Sequence, residues 1–345
     1  MQNSHIIGGE FGIDLQGFQY AQSNNGFLEG IYKYSSGRSA LYYILLDVQK
    51  RYGITTAYLP NYLCSSVVVA AEKSQVKVVF YNLNDQLEID IEKFPLDDNE
   101  KAAVLLINYF GLKSLQLQVE LVRSISMEAI VIEDDVQAFY EFCKPELAAD
   151  YKFTSLRKTF ACPDGGLVKT AKQLTVVTEV NKFHQFKLAG CILKSLHKPK
   201  YYDYDVYLHL FEKGESHIDD EITMGMSQIS QEVITKTDFE RIAYIRLRNT
   251  RQILSGLNTL GIRTILPVPE NKTPLFVPIW LEDRNKVRKQ MFQQQIFCPV
   301  HWPLEGMNVQ KGAEMAEHEM SIIIDQRYTN KDMDFILNTL EKALK

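Results

Sequence analysis

Residues 129–138 read Ala129-Ile130-Val131-Ile132-Glu133-Asp134-Asp135-Val136-Gln137-Ala138. A short apolar run of strand length passes straight into three acids. Successive side chains on a strand point to opposite faces, so only one of two adjacent carboxylates need face a given site. An acid held there can pair with a cationic ring nitrogen. A solvated acidic loop or a metal-binding loop has the same composition. Upstream, 102–108 reads as a buried strand ended at Gly111, 54–59 as a strand stopped by Pro60-Asn61, and 76–81 as another. Between them 38–50, 67–73 and 115–125 read as helices, the first with Leu41, Ile44, Leu45 and Val48 on one face. Strands alternating with helices predict βαβ units and a mainly parallel sheet, hence an α/β fold.

Downstream, 152–155 and 166–170 form a candidate strand pair around Pro163-Asp164-Gly165. The stretch 182–214 is rich in Tyr, Lys and His and has little clear period, and 222–257 reads as long helix. A second unit follows, with strands at 275–280, 297–302 and 320–324 and helices at 285–294 and 331–344. Thr329 or Asn330 is placed to cap the last helix. The expected organisation is a large domain over 1–240 and a smaller α/β domain over 241–345.

Charge and cysteine usage narrow the class. The 38 Lys and Arg against 43 Asp and Glu give a net charge of −5, which excludes a nucleic-acid binder that relies on overall positive charge. No apolar run approaches the ~20 residues that span a bilayer. The start of the chain lacks the basic and apolar pattern of a signal peptide, so the expected location is cytoplasmic and away from membranes. The five cysteines contain no CxxC pair, so no metal site is expected.

In open parallel sheets ligands bind beyond the carboxyl ends of the strands. Four segments put chemistry at such ends. Ser35-Ser36-Gly37-Arg38-Ser39-Ala40-Leu41 opens a helix, where free N–H groups and the positive helix end can receive a phosphate; an ordinary N-cap reads the same way. The acids after Ile132 are the second. Ser155-Leu156-Arg157-Lys158-Thr159 is the third, with a lysine that can act as a Schiff-base nucleophile or lie at the surface. Cys298-Pro299-Val300-His301-Trp302-Pro303 is the fourth, its histidine either packed in place or touching substrate.

Taken in order, Gly37-Arg38-Ser39-Ala40-Leu41, Tyr58-Leu59-Pro60-Asn61-Tyr62-Leu63-Cys64, Asn108-Tyr109-Phe110-Gly111, Ile132-Glu133-Asp134-Asp135-Val136-Gln137-Ala138, Lys158 and Gly165-Gly166 resemble the DegT/DnrJ/EryC1/StrS aminotransferase family. These are fold-type-I pyridoxal-phosphate enzymes, many of which aminate nucleotide-linked keto sugars. The resemblance implies pyridoxal 5'-phosphate as cofactor, a small-molecule keto substrate, an amino donor and a homodimer with sites near the subunit interface. It further implies roles. Asp134 would bond the pyridinium nitrogen and Gln137 the phenolic oxygen. Ser39 and the backbone of Gly37, Arg38 and Ala40 would hold the phosphate, with Ser155 assisting. Tyr62 would stack on the ring, and Lys158 would be the Schiff-base lysine and proton carrier; His301 stays the candidate substrate contact on the reading of its own segment, with packing as the alternative. The chain departs from the family before the lysine, where Phe153 and Thr154 replace Ser-Phe and the serine is Ser155. The alternative is a pyridoxal-phosphate-binding or non-catalytic fold-type-I homologue with a regulatory or binding role.

Overall fold

Five consecutive buried residues, Ala103–Ile107, form a strand near the middle of a seven-stranded sheet. A strand covered on both faces has no polar side to show, so its sequence is continuous Ala, Val, Leu and Ile rather than alternating. The computed structural model describes residues 6–13, 24, 26–196, 205–302 and 310–345. The Tyr-rich stretch 201–204, a candidate for subunit contact, lies outside the described residues. In chain order the elements are β1 (Ile7–Gly8), β2 (Tyr32–Tyr34), α1 (Gly37–Tyr52), β3 (Thr56–Pro60), α2 (Ser65–Lys73), β4 (Lys77–Tyr81), β5 (Ala103–Ile107), α3 (Gln116–Ile125), β6 (Ile130–Asp134), α4 (Phe139–Phe142), β7 (Tyr151–Ser155), β8 (Gly166–Lys169), α5 (Phe183–Leu196), α6 (Asp205–Ser216), α7 (Gln228–Thr235), α8 (Phe239–Thr259), β9 (Phe276–Trp280), α9 (Arg284–Gln293), β10 (Ile296–Phe297), α10 (Gln310–His318), β11 (Glu319–Ile323) and α11 (Asn330–Leu344).

The sheet order is β2-β8-β7-β6-β5-β3-β4. From β4 to β7 every neighbouring pair is parallel. β8 and β2 close one edge antiparallel. The chain leaves β3 for β4 at the far edge and returns on the other side of β3 as β5. That reversal is the switch point at which such sheets leave a crevice beyond their strand ends. The architecture is therefore α/β with a mixed, mainly parallel sheet, as fold-type-I enzymes have.

α1 begins where Ser36 accepts a hydrogen bond from the Ser39 N–H at 3.1 Å, and ends at Gly53 with φ 69°. It buries Leu41, Ile44, Leu45 and Val48, the face read from spacing. The region 222–257 is not one helix but α7 and α8. Ser227 and Asp238 each cap a fresh start, accepting from the Ser230 and Arg241 N–H groups, and such side chains compete with a continuing ladder. The stretch 182–214 holds α5 and α6, packed around Cys191, Tyr207 and Phe211. The expected strand over 297–302 shrinks to β10, since Pro299 cannot donate to a ladder. Before α11, the Thr329 N–H donates to the Asp332 carboxylate at 2.7 Å.

A second apolar core contains Ile253 of α8, Val277 of β9, Met291 of α9, Ile322 of β11 and Ile336 of α11. Ile7 joins it, because β1 pairs in parallel with β10. A division at 240/241 stays a proposal, with that N-terminal strand attached to the C-terminal unit. Among the described residues no helix is long and apolar enough to cross a membrane.

The start of α1 lies directly on β8. A Cβ on Gly166 would stand 1.9 Å from the Ser36 carbonyl oxygen and 3.0 Å from the Gly37 nitrogen. Gly166→Ala is expected to cost about 2–3 kcal/mol through forced backbone movement. Gly53→Ala, at φ 69° with nothing within 4 Å, should cost only about 1 kcal/mol. Urea unfolding compares them, and equal losses would contradict this packing.

Candidate active site

Beyond the ends of β5, β6 and β7 lies a cavity of about 200 Å³. Ile107, Asp134 and Ser155 reach it from the three strand ends, Gly37 and Arg38 from the start of α1, and Lys158 from the turn after β7. Gln137, His301 and Trp302 line it as well.

Asp134 is the last residue of β6 and is 5 % exposed. Its Oδ1 accepts one hydrogen bond, from the Val136 N–H at 2.9 Å. Burial pushes its carboxyl up to about 7, the single backbone donor only partly offsetting that. Asp135 turns to the other side. Its Oδ1 accepts from Asn108 Nδ2 at 3.1 Å and its Oδ2 lies 3.6 Å from the buried Lys152 amine, which also meets Glu133 at 3.5 Å. The strand period thus sends one acid to the cavity and its neighbour into a buried ionic cluster.

At the start of α1, Ser36 accepts both from Ser39 N–H through its hydroxyl and from Ala40 N–H through its carbonyl. The N–H groups of Gly37 and Arg38 precede these bonds and have no hydrogen-bond acceptor among the described residues. Ser39 and Ala40 do not line the cavity; Ser36, Gly37 and Arg38 do. The Ser39 hydroxyl instead points to the Met224 carbonyl, 3.4 Å away. The expected cradle thus moves one turn position toward the N-terminus, because the cap consumes the later N–H groups. A Cβ on Gly37 would meet the Ser155 Cβ at 3.2 Å, so glycine lets the helix start approach the end of β7. The Arg38 guanidinium is held by Asp219 at 2.6 Å and Glu215 at 3.1 Å.

Of the lysines near this strand end, Lys152 is spent in the ionic cluster and Lys169 donates to the Phe142 and Cys143 carbonyls. Lys158 is exposed, lines the cavity, and its amine has no hydrogen-bond or ion-pair partner among the described residues. The neighbouring Arg157 pairs with Glu215 at 2.9 Å. Burial opposes ionisation of Glu215, but Arg157 and Lys187 outweigh it and hold that carboxyl well below the usual carboxylate range.

Gln137 Oε1 accepts the Phe110 N–H at 2.8 Å, which fixes the amide orientation and leaves the NH₂ as a donor. His301 Nδ1 faces Ser321 Oγ at 3.2 Å and Glu319 at 3.5 Å. Tyr62, expected as the ring-stacking residue, does not line this cavity. It is 1 % exposed, donates to the His301 carbonyl and packs on Tyr109 and Trp302. From that segment Cys64, Ser66 and Val67 face the cavity, and Phe153, Phe276 and Trp302 supply its aromatic surface. The sequence reading quoted Ser36 and Cys64 within its candidate segments without giving either a role, and missed Phe276 and Glu215 as wall residues. Ser36 carried a signal, a hydroxyl at an N-cap; Glu215, in a stretch without period, carried none.

No family model matches the chain, and no curated protein matches its sequence. Solved structures do match in shape. One is Spr1654 of Streptococcus pneumoniae, described as a sugar aminotransferase and solved in a PMP form. It has a TM-score of 0.67 at 13 % identity, covering 97 % of this chain and 92 % of that one. A DegT DnrJ EryC1 StrS aminotransferase from Brucella abortus has a TM-score of 0.58 at 13 % identity over 90 % and 85 %. NtdA of Bacillus subtilis, with bound PMP, has a TM-score of 0.61 at 16 % identity over 97 % and 78 %. The chain therefore has the fold of the DegT-like, fold-type-I pyridoxal-phosphate enzymes.

Because the Asp134 carboxyl rises from about 3.8 to about 7 on folding, the folded protein binds more protons than the unfolded chain between those values. Its contribution to stability therefore falls as pH rises through that window and is flat above it. Asp134→Asn should remove this fall, so that the variant gains on the wild type from pH 4 to pH 7 in urea unfolding of cofactor-free protein. Parallel profiles would contradict the assignment.

Proposed function

We propose that the protein is a pyridoxal-phosphate-dependent aminotransferase acting on a keto sugar, nucleotide-linked or free, or a related keto substrate. One observation carries the reading: a buried carboxylate and an amine, both without an ion-pair partner among the described residues, and an open helix start converge on one cavity. These residues fit the cofactor. Asp134 has no cationic partner among the described residues and would hold the ring nitrogen. The Gly37 and Arg38 N–H groups, with the Ser36 and Ser155 hydroxyls, would hold the phosphate. The Gln137 NH₂ would donate to the phenolic oxygen, and Lys158 would bond the cofactor's carbonyl carbon. When bound, the cofactor supplies an electron sink for the substrate carbon next to nitrogen.

The chain's own residues do the rest. Asp134, ionised beside a positive nitrogen, keeps the proton on that nitrogen through a charge-assisted hydrogen bond. Lys158, its amine set free when the substrate's amino group takes its place on the cofactor, would carry the proton at the substrate carbon next to nitrogen. Phe153, Phe276 and Trp302 limit water at the reacting atoms. A keto-sugar substrate is supported by the sugar aminotransferase of the same fold. The site is also proposed to work in a homodimer, with sedimentation as its check: a ~40 kDa species alone would count against that part.

The purified protein mixed with pyridoxal phosphate should acquire visible absorbance well separated from that of protein. Lys158→Ala should lose this absorbance, and its transamination should drop by about 10²–10⁴-fold or more. Asp134→Asn should retain the absorbance and lose most activity. An absorbance unchanged in Lys158→Ala would contradict the reading.

A further inference from the structure

Behind the cavity wall, Glu319, Ser321 and His301 form a chain of hydrogen bonds. Glu319 opens β11 and is 0 % exposed. Its carboxylate accepts from two donors, the His301 N–H at 2.6 Å on Oε2 and the Ser321 hydroxyl at 2.6 Å on Oε1. Among the described residues no lysine or arginine pairs with this carboxylate; the titratable nitrogen that faces it is His301 Nδ1, at 3.5 Å. Its neighbour Arg284 spends both terminal nitrogens on the Glu319 and Ala316 carbonyls. A carboxylate taken out of water is costly unless donors and a counter-charge repay it, so this acid is tied to the histidine.

The same bonds fix the state of the imidazole. Ser321 has one hydroxyl proton, and Glu319 receives it. The Ser321 oxygen, 3.2 Å from His301 Nδ1, is then left as an acceptor. Nδ1 therefore carries the ring proton, and in the neutral ring Nε2 is a bare acceptor. Nε2 has no hydrogen-bond partner among the described residues. The rings of Phe110, Phe276 and Trp302 surround the imidazole, at centroid distances of 5.6, 5.5 and 5.2 Å. Tyr62 holds the backbone there by donating to the His301 carbonyl. The imidazole thus has little freedom to turn, and it lines the cavity shared by Asp134 and Lys158.

We propose that Glu319, acting through Ser321, is a positioning residue that makes His301 Nε2 the acceptor for a hydroxyl of the reacting molecule. Calling the donor a reactant's hydroxyl rests on the aminotransferase reading; the relay and its tautomer do not. A hydroxyl-bearing ring suits this wall. Its O–H group meets Nε2, and its C–H faces pack on Phe276 and Trp302, which line the same cavity. Neither Glu319 nor Ser321 lines the cavity, so both act only through the histidine.

Nitrogen-15 NMR of the full, cofactor-free chain with labelled histidines reads the tautomer directly. His301→Asn identifies which of the seven histidines gives the signal. At alkaline pH the wild type should carry the proton on Nδ1, the reverse of the preference of free histidine. In Glu319→Gln the single amide oxygen serves the His301 N–H, so the NH₂ turns to Ser321 and the Ser321 hydroxyl turns to Nδ1. The ring proton should then move to Nε2, an exchange that a merely structural glutamate would not produce. A wild-type proton on Nε2, or a proton still on Nδ1 in Glu319→Gln, would overturn the relay; the wild-type signal decides alone if Glu319→Gln does not fold. The hydroxyl role is read with cofactor loaded. Glucosamine has hydroxyls beside its amine and cyclohexylamine has none, and the decay of visible absorbance is timed with each. Glu319→Gln should lower the ratio of the glucosamine rate to the cyclohexylamine rate at least tenfold, and His301→Asn should do the same. An unchanged ratio in both variants, or no decay with glucosamine in the wild type, would overturn the hydroxyl role. Absorbance on adding pyridoxal phosphate together with a wild-type proton on Nε2 ends the relay alone. A proton on Nδ1 without absorbance ends the aminotransferase reading, and the hydroxyl role with it, and leaves the relay standing.

Discussion

A carboxylate held out of water at the end of a central strand is the constraint around which this molecule is arranged. Among the described residues Asp134 faces a cavity with one backbone donor and no cationic partner, and burial raises its carboxyl to about 7. Removing a carboxylate from water costs several kcal/mol unless a counter-charge repays it. Its neighbour Asp135, equally buried, has Lys152 close by and Asn108 on its other oxygen. The fold thus supplies a cation to the acid that points into the core and withholds one from the acid that points into the cavity. An unrelieved carboxylate is a poor structural device and a good receptor for a positively charged ring.

The remaining wall follows from the same sheet. Parallel strands β5, β6 and β7 end together, and the antiparallel return of β8 brings Gly166 under the Ser36 carbonyl. That contact seats the start of α1 over the strand ends. The α5–α6 pair then closes one side electrostatically. Glu215 at the end of α6 gathers Arg38, Arg157 and Lys187, so Arg38 and Arg157 at the cavity are pinned in place.

Much of this was legible in the sequence. Continuous apolar runs ending in acids or glycine gave the parallel strands, and helical spacing gave the buried face of α1, because period and burial are one fact seen twice. The candidate residues Asp134, Gln137, Ser155, Lys158 and His301 share a cavity because each ends or follows a strand of the large sheet or the small β10. Tyr62 misled, since an aromatic beside a strand end can turn into the core as easily as toward a ligand. Ser39 misled because the N-cap geometry that makes a helix start attractive to anions also consumes the third N–H. The ion pairs of α5 and α6 were not readable, because they join positions up to 177 residues apart and no local pattern encodes such partners. The start of α7 and the break before α8 were encoded in Ser227 and Asp238, whose side chains cap the two helices.

The cavity below α1 is proposed to bind pyridoxal phosphate through Lys158. Borohydride reduction of the cofactor-treated protein, followed by peptide mapping, tests it most directly, because it marks the bonded amine covalently. The account predicts a single pyridoxyl group on Lys158. A label on Lys152, Lys169 or Lys187, or none on a folded protein saturated with pyridoxal phosphate, would contradict it.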